Sequence, residues 1–161
     1  MAGVPIALLV EGIQPRAGQG WHGGPTPVGA LRGVTAEQAR WRPGPRRKSI
    51  WTLTLHIAYW KYGVRRLLDG SKRGAFPRRP ANWPELPTRL DEPSWAADVA
   101  LLRDEHARLV EAASAVDPSL LSRRPPTSRR WTYGELVLGI AMHDAYHTGQ
   151  IQLMKRLWQE R

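Results

Sequence analysis

The apolar positions of the chain recur at helical spacing in several stretches, of which the most informative runs from Trp131 to Trp158. Thr132 followed by Glu135 is a capping-box pattern, which predicts that a long helix begins here. At about 100° per residue, one stripe of this helix combines apolar side chains with two histidines. Its members are Leu136, Ile140, His143, His147, Gln150, Ile151 and Met154. We therefore expect both imidazoles on the buried face.

A second main helix is predicted between Ser49 and Gly70. Ser49 suits an N-cap, and Gly70 stands where a glycine commonly ends a helix. The apolar residues that recur at helical spacing are Ile50, Leu53, Ile57, Trp60, Val64 and Leu67. His56 lies at the edge of this stripe, within reach of a facing helix.

Two shorter helices are predicted in the first part of the chain. Apolar residues from Val4 to about Ala17 indicate a first helix, which nearby proline and glycine residues weaken. Thr35 begins a second capping-box pattern, so a short helix is expected to follow it and to end before Pro43.

A long proline-rich connection separates the second main helix from the third. Five prolines between Ser71 and Pro93 argue against a helix there. At about 3.3 Å per residue, this segment can run the length of a bundle of roughly 30 Å, so the third helix can run parallel to the second. Ser94 is the expected cap of that helix, Trp95 to about Val116, and His106 is expected at its surface.

These elements predict an all-α fold: a four-helix bundle with a long Pro-rich crossover connection between the second and third main helices. At 161 residues, the chain suits one domain over residues 1–161. No internal repeat and no phosphate-binding glycine loop is evident.

The spacing of three histidines indicates a metal site. His143 and His147 are four residues apart, so their side chains can stack on one helix face as a two-point clamp. His56 would add a third neutral nitrogen and leave positions free for water or substrate. A zinc-protease helix would need Glu directly after its first histidine, where this chain has Asp144. Hydrogen-bonded core histidines stay open as the alternative interpretation.

Four further residues are candidates for orienting these histidines or contacting substrate. Gln150 ranks first, because it lies one turn beyond His147 on the same stripe. Asp144, Tyr146 and His22 are the others, and His22 falls in a Gly- and Pro-rich loop. The spacing identifies no separate general base, so the catalytic residue stays unassigned.

The chain resembles the DinB-like (DinB/YfiT) superfamily of four-helix-bundle proteins. The similar segments are Ser49-Ile50-Trp51, Leu55-His56-Ile57-Ala58, His143 to Ile151, Trp21-His22-Gly23, Leu31 to Pro43 and Ala81-Asn82-Trp83-Pro84. The resemblance implies that His56, His143 and His147 bind a divalent metal, often nickel or zinc. It further implies a metal-dependent hydrolase or a thiol-dependent S-transferase acting on a small molecule, in a role related to stress or damage.

The resemblance also bears on partners. A low-molecular-weight thiol such as mycothiol, bacillithiol or glutathione is the expected second substrate. Family members are often dimers, and Trp83 and Trp95 suit either a homodimer surface or a cover for the chain's own core. A metal-binding stress or regulatory protein without catalysis is the alternative function.

Composition narrows these possibilities. With no cysteine, the chain has no disulfide, thiolate ligand or cysteine nucleophile. A net charge of +10 invites a nucleic-acid interpretation, but the arginines fall in small groups in connections and at helix ends. A solvated basic surface is the preferred account, and a nucleic-acid-binding module ranks below it. No apolar run is long enough for a membrane span and the N-terminus lacks a basic segment, so a cytoplasmic location is expected.

Overall fold

Six α-helices and a short 3-10 helix, Pro118–Leu120, make up the regular structure of the computed structural model, which describes residues 5–15, 24–71, 74 and 76–161. The α-helices are α1 (Ile6–Ile13), α2 (Pro27–Ala30), α3 (Ala36–Arg40), α4 (Ile50–Asp69), α5 (Glu92–Ser114) and α6 (Tyr133–Gln159). No β-strand occurs among the described residues, which confirms the all-α prediction. None of these helices is both long and apolar enough to cross a bilayer.

The ends of α4 and α6 follow the capping chemistry that the sequence predicts. The Ser49 hydroxyl accepts the backbone N–H of Thr52, and Gly70 ends α4 at a φ of +68°, a left-handed conformation that glycine adopts at little cost. At the start of α6, Thr132 and Glu135 each accept the backbone N–H of the other, which completes a capping box.

The predicted boundaries of α5 were wrong at its start. Asp91 caps the helix by accepting the backbone N–H of Ser94 at 3.0 Å, so Ser94 lies inside the first turn. Pro93 therefore belongs to the helix and not to the connection. A proline fits the first turn because the N–H that it lacks would have no partner there. The helix predicted from Val4 to Ala17 is also shorter, since α1 covers Ile6–Ile13.

The four longest helices, α1, α4, α5 and α6, pack together. α4 contacts α5 and α6, and α1 contacts the same two helices. The Trp51 indole donates to Asp98 at 2.7 Å, and further along both helices Arg65 donates to Glu105 at 3.2 Å. Because the contacts advance toward the C-terminal end of both helices, α4 and α5 run in the same direction. The path of the connecting segment as a crossover stays a prediction.

The core consists of two apolar clusters separated by a layer of buried polar groups. The first cluster packs the start of α4 against α3, α5 and the end of α6, whereas the second packs the end of α4 against α1 and the start of α6. Between them lie five buried polar side chains: Lys61, Glu105, His106, Asp144 and His147. Buried charges require partners, so this layer limits how the helices can pack.

His106, expected at the surface, is buried, and so is Trp95, for which a homodimer surface and the chain's own core were both open. His106 is only 8% exposed, and its Nε2–H donates to the Gln14 side-chain oxygen at 2.6 Å. Trp95 is 4% exposed, and its indole N–H donates to the Val34 carbonyl at 2.8 Å. The prediction for His106 was wrong, and Trp95 covers the chain's own core. In both cases the partner is distant in sequence, so neighbouring residues gave no sign of it.

Candidate metal centre

Three histidines from two helices converge at the polar layer. His56 comes from α4, and His143 and His147 come from α6. One ring nitrogen of each lies within 4.8 Å of the other two. The Nε2 atoms of His56 and His143 are 3.2 Å apart. Two nitrogens bound to one tetrahedral zinc ion, each about 2.0–2.1 Å from it, would stand at a similar separation.

His56 is fixed by the segment that follows the second main helix. Its Nδ1–H donates to the Asn82 carbonyl oxygen at 2.5 Å, and the Trp83 ring stacks on the imidazole with centroids 3.7 Å apart. Because a carbonyl only accepts, Nδ1 carries the proton, and the Nε2 lone pair of the neutral ring faces His143 Nε2 at 3.2 Å. Asn82 has a φ of +69° and its side chain accepts the Trp60 indole N–H at 2.9 Å.

His147 is oriented in the same way by a different acceptor. Its Nδ1–H donates to the side-chain oxygen of Gln150 at 2.7 Å, which leaves Nε2 as the free nitrogen. His143 differs, because its Nδ1 is buried without a hydrogen-bond partner. The rings of His56 and His147 therefore each have a lone pair on Nε2. All three imidazoles are nitrogen ligands of the type that nickel and zinc bind.

Burial keeps the histidines neutral. Desolvation lowers the pKa of His56 to about 4 and that of His143 to about 3, from an ordinary 6.5. Charge repulsion by the neighbouring histidines contributes to both shifts, and at His56 the hydrogen bond to Asn82 opposes the shift. Desolvation also lowers the pKa of His147, which its Gln150 contact and Asp144 oppose. Neutral imidazole is the form that binds a metal, so the cluster needs no proton loss near pH 7.

A buried ion pair lies beside the cluster. Lys61 of α4 donates to Asp144 of α6, and the two side chains are 0% and 4% exposed. Desolvation lowers the pKa of Lys61 and raises that of Asp144, and each partner's charge opposes the shift. One Asp144 oxygen has no partner. The Asp144 carboxylate is therefore engaged by Lys61. The possible metal ligands that lie within 4.8 Å of one another are the three histidines.

Comparison with protein-family models supplies the family. The model of the DinB superfamily matches residues 28–151, a span that includes all three histidines and most of the helical arrangement. The chain belongs to the DinB superfamily. Searches of curated proteins and of solved structures gave no match. Membership is thus shown by a match over most of the chain, and it confirms the resemblance found in the sequence.

The other candidate site residues of this DinB-superfamily chain have different surroundings. Gln150 contacts His147 directly, whereas Asp144 pairs with Lys61. Tyr146 is 64% exposed, and its ring lies edge-on to His147 with centroids 4.9 Å apart. His22 lies outside the described residues. As ligands, the three histidines stay a prediction that their geometry fits.

Three contributing residues were missed by sequence reasoning. Asn82 and Trp83 hold and cover His56, and Lys61 neutralises Asp144. Asn82 had a usable signal, because asparagine is one of the few non-glycine residues that tolerate a left-handed conformation in a proline-rich connection. Lys61 gave none, since a lysine in an amphipathic helix ordinarily points to solvent.

Proposed function

We propose that this DinB-superfamily protein binds a divalent metal ion, nickel or zinc, through His56, His143 and His147, and that it catalyses thiol-dependent S-transfer to a small molecule. The observation that carries the proposal is the convergence of three neutral ring nitrogens within 4.8 Å, with two Nδ1 atoms engaged by oxygen acceptors. In His56 and His147, the hydrogen bond of Nδ1 holds Nε2 in place.

The donor set determines the charge of the centre. Three neutral ligands would leave a divalent ion its full positive charge, which would supply Lewis acidity and lower the pKa of a water molecule or thiol in contact with it. His56 and His147 orient their own nitrogens through Asn82 and Gln150. Trp83, stacked on His56, excludes water from one face of that ring.

A thiol suits this centre better than water does. The described residues of the cluster supply no free carboxylate base, because Asp144 is already paired with Lys61. A thiol has an ordinary pKa of about 8.5 and needs far less activation than water, whose pKa is about 15.7. The chain contains no cysteine, so the thiol must arrive as a substrate. Hydrolysis, the second candidate reaction, would depend on the ion alone for deprotonation.

Metal content tests the binding step. Protein purified without a histidine tag and dialysed against metal-free buffer is expected to retain about one nickel or zinc ion per chain, and His56→Ala or His143→Ala is expected to lose it. His106→Asn is the matched control, because His106 is a buried histidine outside the cluster. Equal metal content in all these proteins would contradict the proposed ligands.

A spectroscopic titration tests the thiol step. Cobalt(II)-loaded protein is expected to gain near-ultraviolet absorbance when glutathione or another low-molecular-weight thiol is added, since a thiolate bound to cobalt absorbs there. The oxygen analogue of the thiol, with a hydroxyl in place of sulfur, serves as the control ligand. Stable metal binding without any response to thiols would favour a metal-binding stress or regulatory protein over the transferase.

A further inference from the structure

A cavity of about 720 Å³ adjoins the histidine cluster on the side of His147. His147 and Gln150 line one part of it, so a molecule in this cavity would meet the candidate centre. Most of the remaining lining is a basic segment and an apolar wall, and the other lining residues are Pro43, Gly44, Trp83 and Tyr146. Neither the basic segment nor the apolar wall takes part in the hydrogen bonds and ring stacking that hold His56 and His147.

The basic segment is Arg46, Arg47 and Lys48, which directly precede the cap of α4 and line the cavity. All three are exposed, and none forms an ion pair with any described residue. The Lys48 ammonium lies 4.6 Å from the centre of the Trp83 ring, which itself stacks on His56. These cations are therefore available to an external anion at the edge of the candidate centre.

The apolar wall comes from the end of α6 and the start of α4. It consists of Leu53, Leu153, Met154 and Leu157. Leu153 is 56% exposed, like Leu138 and Met142 elsewhere on α6, whereas Leu53 and Met154 are buried. An exposed apolar surface beside unpaired cations is complementary to a molecule that has an apolar body and an anionic group.

We infer that the substrate of this centre is a small organic anion whose carboxylate, sulfonate or phosphate binds Arg46, Arg47 and Lys48 and whose apolar body lies on Leu153 and its neighbours. The inference rests on the proposed function, because the cavity's relevance to a reaction depends on metal at His147. It goes further by naming the chemical class of the substrate and the residues that select it.

Two fluorescent probes with the same aromatic rings test the charge preference. One is 8-anilino-1-naphthalenesulfonate, and the other is N-phenyl-1-naphthylamine, which lacks the sulfonate. The wild-type protein is expected to bind the sulfonate about tenfold more tightly, the effect of one solvent-exposed charge-assisted hydrogen bond. Arg46→Ser combined with Arg47→Ser leaves only Lys48 and is expected to remove most of that preference, with binding of the neutral probe unchanged.

A matched double variant separates this site from the general positive charge of the chain. Arg123→Ser combined with Arg124→Ser removes the same charge beside the start of α6, away from the cavity. It is expected to keep the preference for the sulfonate. An equal loss in both double variants, or no preference in the wild type, overturns the inference.

A second pair of variants tests the apolar wall. Leu153→Asp is expected to weaken both probes about tenfold, whereas Leu138→Asp, at a similarly exposed position of α6 outside the cavity, is expected to weaken neither. Loss of both probes in Trp131→Ala instead would assign them to the groove between α4 and α6 and overturn the inference.

Metal content measured on the same samples separates the two proposals. The probe titrations need no metal, so they report on the cavity even when the protein takes up none. Protein that takes up neither nickel nor zinc but keeps the sulfonate preference would overturn the proposed function, whereas metal-loaded protein without the preference would overturn the substrate class.

Discussion

Asn82 shows how a single residue can connect a loop to the candidate centre. Its backbone carbonyl accepts from His56 and its side chain accepts from Trp60, so two aromatic groups of α4 depend on one residue in a left-handed conformation. The hydrogen bond to His56 fixes which nitrogen of the ring is free. At the residue scale, the site is therefore defined by the acceptors behind the histidines as much as by the histidines themselves.

Gln150 offers the clearest test at this scale. Gln150→Ala removes the acceptor of His147 Nδ1–H and frees the ring to rotate, so the affinity for zinc is expected to fall about tenfold to a hundredfold. Competition with a chromophoric chelator measures that affinity. Gln152→Ala is the control, because Gln152 lies on the same helix without a contact to the cluster. Equal zinc affinities in the two variants would show that Gln150 does not orient His147.

At the scale of the elements, the pairing of α4 with α6 determines whether a site can form. The histidines of α6 reach His56 only if the two helices keep their register, and Lys61 and Asp144 pair across the same interface. Both charges are buried, so any slip of one helix along the other would separate them at a large cost. We interpret this ion pair as the contact that sets the register of the centre.

The stability of single and double variants tests this interpretation. Lys61→Met leaves the Asp144 carboxylate buried without a partner and is expected to lower the free energy of unfolding by about 3–5 kcal/mol. Adding Asp144→Leu is expected to restore most of that loss, because two apolar side chains can fill the same space. Urea denaturation of the metal-free proteins measures both values. A double variant no more stable than Lys61→Met would show that the pair is not the dominant interaction there.

For the whole molecule, the polar layer makes stability depend on pH. Desolvation, together with a smaller effect of the charge on Lys61, lowers the pKa of His106 from an ordinary 6.5 to about 4. As the pH falls below 6.5, His106 is protonated in the unfolded chain, whereas in the folded chain it stays neutral until about pH 4. Stability contributed by this neutral histidine is therefore present above pH 6.5 and is lost as pH falls through that window.

The metal-free protein is accordingly expected to lose stability between pH 6.5 and pH 4. His106 alone accounts for about 3 kcal/mol of the loss, since each pKa unit corresponds to about 1.4 kcal/mol, and His56 and His143 act in the same direction. Urea unfolding at pH 7 and pH 4.5 in the presence of a chelator measures the difference. His106→Asn is expected to show a smaller difference, and an unchanged one would contradict the assignment.

The local structure of this chain followed from its sequence. Ser49 and Thr132 marked helix starts through hydrogen bonds with neighbours three residues away, and Gly70 marked a helix end through its left-handed backbone. The helical spacing placed His143 and His147 on one face. Such contacts lie within one turn, so the residues that make them are adjacent in the printed sequence. The all-α class and the three candidate ligands could be stated from these features.

What only the tertiary structure decided is the set of partners that come from far along the chain. Asn82 reaches His56, Lys61 reaches Asp144, and His106 is buried against Gln14. A helical period specifies which face of a helix is buried, but it does not say which residue will lie opposite. The sequence alone therefore identified the histidines. The packing of distant elements determined how they are oriented, kept neutral and placed beside a basic cavity.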